Sequence, residues 1–234
     1  MDLSNPLATV TPTLDAAVLQ ALSATTGMST GAHVHRMAGT GSADGVRRVL
    51  ARLVRQGIVV AEEHAHATLY RLNRDHLAAG PILELTRMRA RIVEKIIGVV
   101  GCWSLSPVHA SMFGSFARGG AGEDSDIDIL LVTQTETETE TETEAWASGD
   151  PEGRDPDTVW RGQVEQLASD VHRWTGNHAH IVEVSSQRLA AMIEADDPLV
   201  ASWRGEEVHL MGDRLLDVMR TVRASAALPA RGLR

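Results

Sequence analysis

Gly114-Ser115-Phe116-Ala117-Arg118-Gly119-Gly120 opens a segment that closes on Ser125-Asp126-Ile127-Asp128-Ile129-Leu130-Leu131-Val132. Residues 108–113 and 127–132 are short apolar runs bounded by turn residues, the pattern of buried strands. Side chains alternate along a strand, so Asp126 and Asp128 share one face while Ile127 and Ile129 point the other way, into a core. Two carboxylates on a rigid support can converge on Mg²⁺ or Mn²⁺, hard cations that take oxygen ligands and leave room for phosphate oxygens. Gly114 lets the backbone approach a phosphate closely. The Ser115 hydroxyl and nearby N–H groups can hold a triphosphate, with Ser125 beside the acids. Arg118 adds a planar, permanent positive charge. Asp-x-Asp alone is common in solvated turns. Gly-Ser followed after ten residues by Asp-x-Asp, between two apolar strands, is far more specific.

Downstream, Trp160, Val164, Leu167, Val171 and Trp174 form a helical stripe. Residues 178–184 alternate in part and predict a third strand, and 187–195 and 213–223 predict helices. His178 and His180 share a strand face with no evident third metal ligand, so packing or substrate contact is expected of them. Arg204 and His209 are expected to have no joint role. Thr135 to Glu144 is five Thr-Glu repeats. As a strand it would stack like charges and bury nothing, so residues 134–157 are expected to form a disordered, solvated loop.

Upstream, residues 1–12 read as a flexible leader. Leu14, Val18 and Leu22 recur at helical spacing. Ser29 or Thr30 can cap a second short helix, and Ser42 a third. The third carries Val46, Val49, Leu50 and Leu53 on one face, with Gly57 at its end. Strands at 58–61 and 68–72 flank a polar turn at 62–66. Three helices and a hairpin follow a winged helix-turn-helix plan over residues 13–80. Residues 81–102 predict one long connector helix, ended by Ser106-Pro107. In the third helix Ser42, Arg47, Arg48 and Arg52 are the candidate DNA contacts, and His64 and His66 mark the wing tip.

Composition sets the limits. The chain has 234 residues, 43% apolar and 23% charged, which excludes a fibrous or wholly disordered polymer. No apolar run approaches the ~20 residues of a membrane helix, so no membrane partner is expected. The first ten residues lack a basic start and an apolar core, so no secretion signal is expected. The single cysteine, Cys102, forms no intrachain disulfide, and a cytoplasmic location fits. Net charge is −9, unevenly spread. Residues 1–100 hold 11 Lys and Arg against 8 Asp and Glu, whereas residues 101–234 hold 11 against 23. The first part can meet a polyanion and the second repels one.

The 114–132 segment resembles the signature of the minimal nucleotidyltransferases of the DNA polymerase β superfamily. The likeness covers about 20 residues closely, and the element order through residue 184 fits their small core. The resemblance implies an α+β chain whose C-terminal domain, residues 103–234, is a small mixed-sheet, polymerase β-like nucleotidyltransferase. It implies transfer of an NMP from an NTP, with Asp126 and Asp128 as ligands to two metal ions and Gly114 and Ser115 in the triphosphate loop. It also implies a third carboxylate on a neighbouring strand, for which Glu183 in Ile181-Val182-Glu183-Val184 is the candidate base or metal ligand. Residues 45–50 and 72–77 resemble winged helices fused to nucleotidyltransferases in bacterial proteins.

The leading expectation is a metal-dependent enzyme that also binds double-stranded DNA, its acceptor being a hydroxyl of an RNA, a protein or a small molecule. Its rivals are a transcription regulator that senses nucleotide without turnover, and a toxin–antitoxin component. A two-fold operator would favour a homodimer.

Overall fold

The computed structural model describes residues 1–134 and 155–226. The chain divides into two compact units, Met1–Arg91 and Ile92–Arg234.

In the first unit the elements run α1 (Leu14–Ser23), β1 (Ser29–Thr30), α2 (Gly31–Ala38), α3 (Ala43–Arg55), β2 (Val59–His64), β3 (Ala67–Leu72) and α4 (Ala79–Thr86). Thr30 ends β1 and also caps α2, its Oγ1 accepting from His33 N at 3.2 Å. Ser42 caps α3 through Gly45 N at 3.0 Å, and Gly57 just beyond its end has φ of +75°. The three strands form an antiparallel sheet in the order β1-β3-β2. Val18, Leu22, Val34, Val46, Leu50, Leu53, Val59 and Leu72 build one core between helices and sheet.

Three expectations change here. Residues 1–12 are not a loose leader: Pro6–Thr9 forms a 3₁₀ turn opened by the proline, and Leu3 and Leu7 are buried. The hairpin is tighter than expected, because Val59 to His64 pairs in full with Ala67 to Leu72. Its turn is only Ala65-His66, so His64 ends a strand. The single helix expected over 81–102 forms as α4 and α5 (Met88–Val100), interrupted at Arg87, whose φ and ψ of −92° and 1° leave the helical region. The boundary between the units falls inside α5.

The second unit continues with β4 (His109–Phe113), a single turn α6 (Gly114–Ala117), β5 (Ile127–Thr133), α7 (Pro156–Thr175), β6 (Ala179–Ser185), α8 (Ser186–Glu194), α9 (Pro198–Gly205), β7 (Val208–Gly212) and α10 (Leu215–Ala226). Its mixed sheet has the order β6-β5-β4-β7. β4 is antiparallel to β5 and β7, and β5 is parallel to β6. On one face Phe113, Leu130, Val132 and Val184 pack with Leu189, Trp203, Leu215, Val218 and Met219 of α8 to α10. The other face buries Ala110, Met112, Ile127, Ile129 and Leu131 completely. The Thr-Glu tract lies outside the described residues, and α7 begins at Pro156, inside the loop expected to reach 157. Its cap is Asp155, whose carboxylate accepts from Thr158 N at 3.2 Å.

Candidate active site

β4 runs into the turn at Gly114, and β5 returns beside it with Phe113 opposite Asp128. Asp126 is exposed just before β5, Ile127 is buried, Asp128 is half-buried and Ile129 is buried. This alternation of burial follows the pattern expected for Asp126 and Asp128 on one face. Gly114 has φ of +66°, and a Cβ there would fall 2.2 Å from Asp128 Oδ2. The backbone of the Gly-Ser turn and the carboxylate of the Asp-x-Asp pair thus touch, which only glycine permits.

Ser115 is half-buried in α6. The turn closes through Gly120 N donating to Ser115 O at 2.9 Å. Arg118 reaches out and donates to the Glu206 carboxylate. The expected phosphate cation therefore already has an acidic partner. The Ser125 hydroxyl accepts from Gly122 N at 3.0 Å, folding the loop before Asp126.

Asn177 holds that loop from below. It is 2% exposed, and its Nδ2 donates to Ser125 O at 2.9 Å and to Gly122 O and Glu123 O at 3.2 Å each. A buried amide that spans three carbonyls fixes the chain entering Asp126. Nothing in local spacing marks Asn177, because its partners lie more than fifty residues away.

Glu183 is not part of this site. β6 is in register with β5 such that His180 faces Asp128 and Glu183 faces Leu131. Leu131 points to the opposite face from Asp128, and Glu183 follows it, accepting from Trp160 Nε1 of α7. The place beside Asp128 belongs to His180, whose Nδ1 is 3.0 Å from Asp128 Oδ1. His178 instead stacks on His172, with ring centroids 4.7 Å apart.

Asp126, just before β5, and Asp128, on it, are a hard-oxygen donor pair, and the glycine cradle leaves Asp128 room against the turn. These residues fit a divalent cation such as Mg²⁺.

Residues 101–198 match the family model described as a nucleotidyltransferase domain. The match spans β4 to the start of α9 and contains the 114–128 segment, Asn177, His180 and Glu183, but not Glu206. Among curated proteins and solved structures, none matches the chain. That match supports nucleotidyl transfer as the chemistry and an NTP as substrate. Among the described residues no helix is long and apolar enough to cross a membrane.

In the first unit Arg47 and Arg48 are exposed and both pair with Asp44, Arg48 Nε at 3.6 Å. The Arg47 guanidinium, hydrogen-bonded to Asp44, holds that carboxyl below its ordinary value. Ser42 is occupied as the α3 cap. Arg52 does not join the outward row: it pairs with Asp15 of α1. His64 and His66 are exposed at the hairpin end, with His64 Nε2 3.9 Å from Glu62 Oε2.

Proposed function

We propose that this protein moves an NMP from an NTP to an acceptor hydroxyl, with Asp126 and Asp128 holding divalent metal and the 114–118 turn holding the triphosphate. The observation that carries this reading is the contact between Gly114 and Asp128, which brings a phosphate-compatible turn against a metal-compatible carboxylate. When bound, the metal supplies positive charge that offsets the triphosphate and the developing charge on the leaving pyrophosphate. Ser115 offers its hydroxyl to phosphate oxygens, and Arg118 exchanges Glu206 for phosphate. His180, hydrogen-bonded to Asp128, orients that carboxylate.

The first unit, on this proposal, is a winged helix that binds double-stranded DNA through α3, with Arg47 and Arg48 as the groove residues and the 65–66 turn as the wing. Arg52 is withdrawn from that role because α1 engages it.

A second reading has a specific observation behind it. The strand position facing Asp128 holds a histidine, and the candidate third carboxylate lies on the other face. A transcription regulator that binds nucleotide without turnover would need no carboxylate base there. One experiment separates the two. The protein is incubated with labelled ATP, CTP, GTP and UTP, Mg²⁺ or Mn²⁺, and cell extract. Label that reaches RNA, protein or a small acceptor, and that is lost in Asp126→Ala, supports transfer. A metal-dependent nucleotide complex with no labelled product, together with a shift of its own promoter DNA, supports the regulator.

A further inference from the structure

His109 is fully buried in β4, one strand in from the sheet edge at β7. Its Nδ1 lies 2.8 Å from the Asp213 carbonyl, which can only accept, so Nδ1 carries the proton. Nε2 then presents a lone pair. It faces Ser111 Oγ at 2.8 Å and Glu207 Oε1 at 3.9 Å. Burial pushes the imidazole below its ordinary value. On β7, His209 Nδ1 lies 3.4 Å from the same Glu207 oxygen. Glu207 Oε1 and His209 Nδ1 are both sealed from solvent, and neither has a hydrogen-bond partner among the described residues.

Two adjacent buried polar atoms without partners, beside a third buried nitrogen whose lone pair is held only by the rotatable Ser111 hydroxyl, are an arrangement that protein alone leaves unsatisfied. The three ligand atoms all lie within 4.8 Å of one another. In a tetrahedral site with bonds of ~2.0–2.1 Å the ligands sit roughly 3.3–3.4 Å apart. The Glu207–His209 distance of 3.4 Å matches that spacing, and the His109–Glu207 distance of 3.9 Å closes to it with a small side-chain shift. A backbone carbonyl holding the far nitrogen of His109 is the usual outer support of a metal-binding imidazole.

We propose that His109 Nε2, Glu207 Oε1 and His209 Nδ1 form a binding site for a divalent transition-metal ion of the zinc type. Two imidazoles and one carboxylate suit zinc and disfavour Mg²⁺, which prefers an all-oxygen shell. The fourth position falls to water or to Ser111 Oγ. The site is separate from the Asp126 and Asp128 pair. Asp128 faces Phe113, and His109 lies four residues back along β4, roughly 13 Å away at ~3.3 Å per residue. It would clip β7 to β4 and fix the backbone that carries Glu206, the partner of Arg118. The proposal is independent of nucleotidyl transfer.

The full chain is stripped with EDTA, dialysed and titrated with Co²⁺, with the visible absorption of the bound ion as readout. Zn²⁺ is then added as competitor, and bound zinc is measured by elemental analysis after gel filtration. One ion per chain is expected, together with a rise in thermal midpoint on loading. The Asp126→Asn, Asp128→Asn double variant should keep both. Glu207→Gln, which preserves shape, and His209→Ala should each weaken binding at least tenfold and lose the thermal shift. The proposal is overturned if the intact chain retains no ion, if both cluster variants bind like the parent, or if binding disappears in the double aspartate variant.

Discussion

A methyl group at position 114 would meet Asp128 Oδ2 at 2.2 Å, in a backbone with φ of +66°. Both penalties fall on the same substitution. The left-handed conformation costs a residue other than glycine about 1–3 kcal/mol where the surroundings enforce it, and the overlap must be relieved by moving Asp128 or the turn. Gly114→Ala should therefore lower the thermal midpoint by a few degrees and reduce label transfer at least a hundredfold while the protein stays folded by circular dichroism. Transfer at parental rate in a folded Gly114→Ala chain would separate the turn from the chemistry. Asn177 works on the other acid in a complementary way, because its amide ties the loop that leads into Asp126. Gly114 restrains one carboxylate by leaving space, and Asn177 restrains the approach to the other by filling it.

At the scale of elements, α3 shows how a face is divided. Arg47 and Arg48 stand in solvent with Asp44, whereas Arg52, one turn further on, turns back to Asp15 on α1. Exposed ion pairs contribute little in water, so Asp44 is an easily displaced partner. The double variant Arg47→Ala, Arg48→Ala should weaken binding to duplex DNA about tenfold or more, and should lower the slope of log affinity against log salt by about 1–2 if both reach phosphates. Arg52→Ala should leave that slope unchanged and lower the thermal midpoint slightly. Fluorescence anisotropy at several salt concentrations reads both. Equal loss of slope in Arg52→Ala would reverse the assignment. Much of this element pattern was legible in the sequence. The face of α3, the alternation at 126–129 and the caps at Ser42 and Gly57 follow from local periodicity. Glu183 was not, because its facing depends on the register of β6 on β5, and that register is set by residues distant in sequence. β7 escaped for a related reason. Five residues with a histidine and a glycine carry little strand signal, and only pairing with β4 makes them a strand. His109, Glu207 and His209 come together through that pairing, so no local spacing could reveal them.

For the molecule as a whole, the uneven charge decides what metal must do. Residues 101–234 carry 23 acidic against 11 basic side chains, and a nucleoside triphosphate brings further negative charge. Much of the long-range repulsion is screened, since the Debye length is about 10 Å at 0.1 M salt. Close contacts are not. A carboxylate and a phosphate oxygen at about 4 Å repel by roughly 4 kcal/mol at an effective dielectric near 20. Arg118 cannot cancel this alone, because Glu206 already engages it. ATP binding followed by calorimetry should thus be strong with Mg²⁺ and weaken at least tenfold in EDTA. Added salt should recover only a small part of the loss, because the dominant repulsion acts inside the screening length. The Asp126→Asn, Asp128→Asn double variant should lose this response to metal. With the local negative charge removed, its weak binding should be nearly the same with Mg²⁺ and with EDTA. Tight ATP binding by the parent chain in EDTA would mean that the phosphates lie away from the aspartates, and the metal-bridged arrangement would then have to be abandoned.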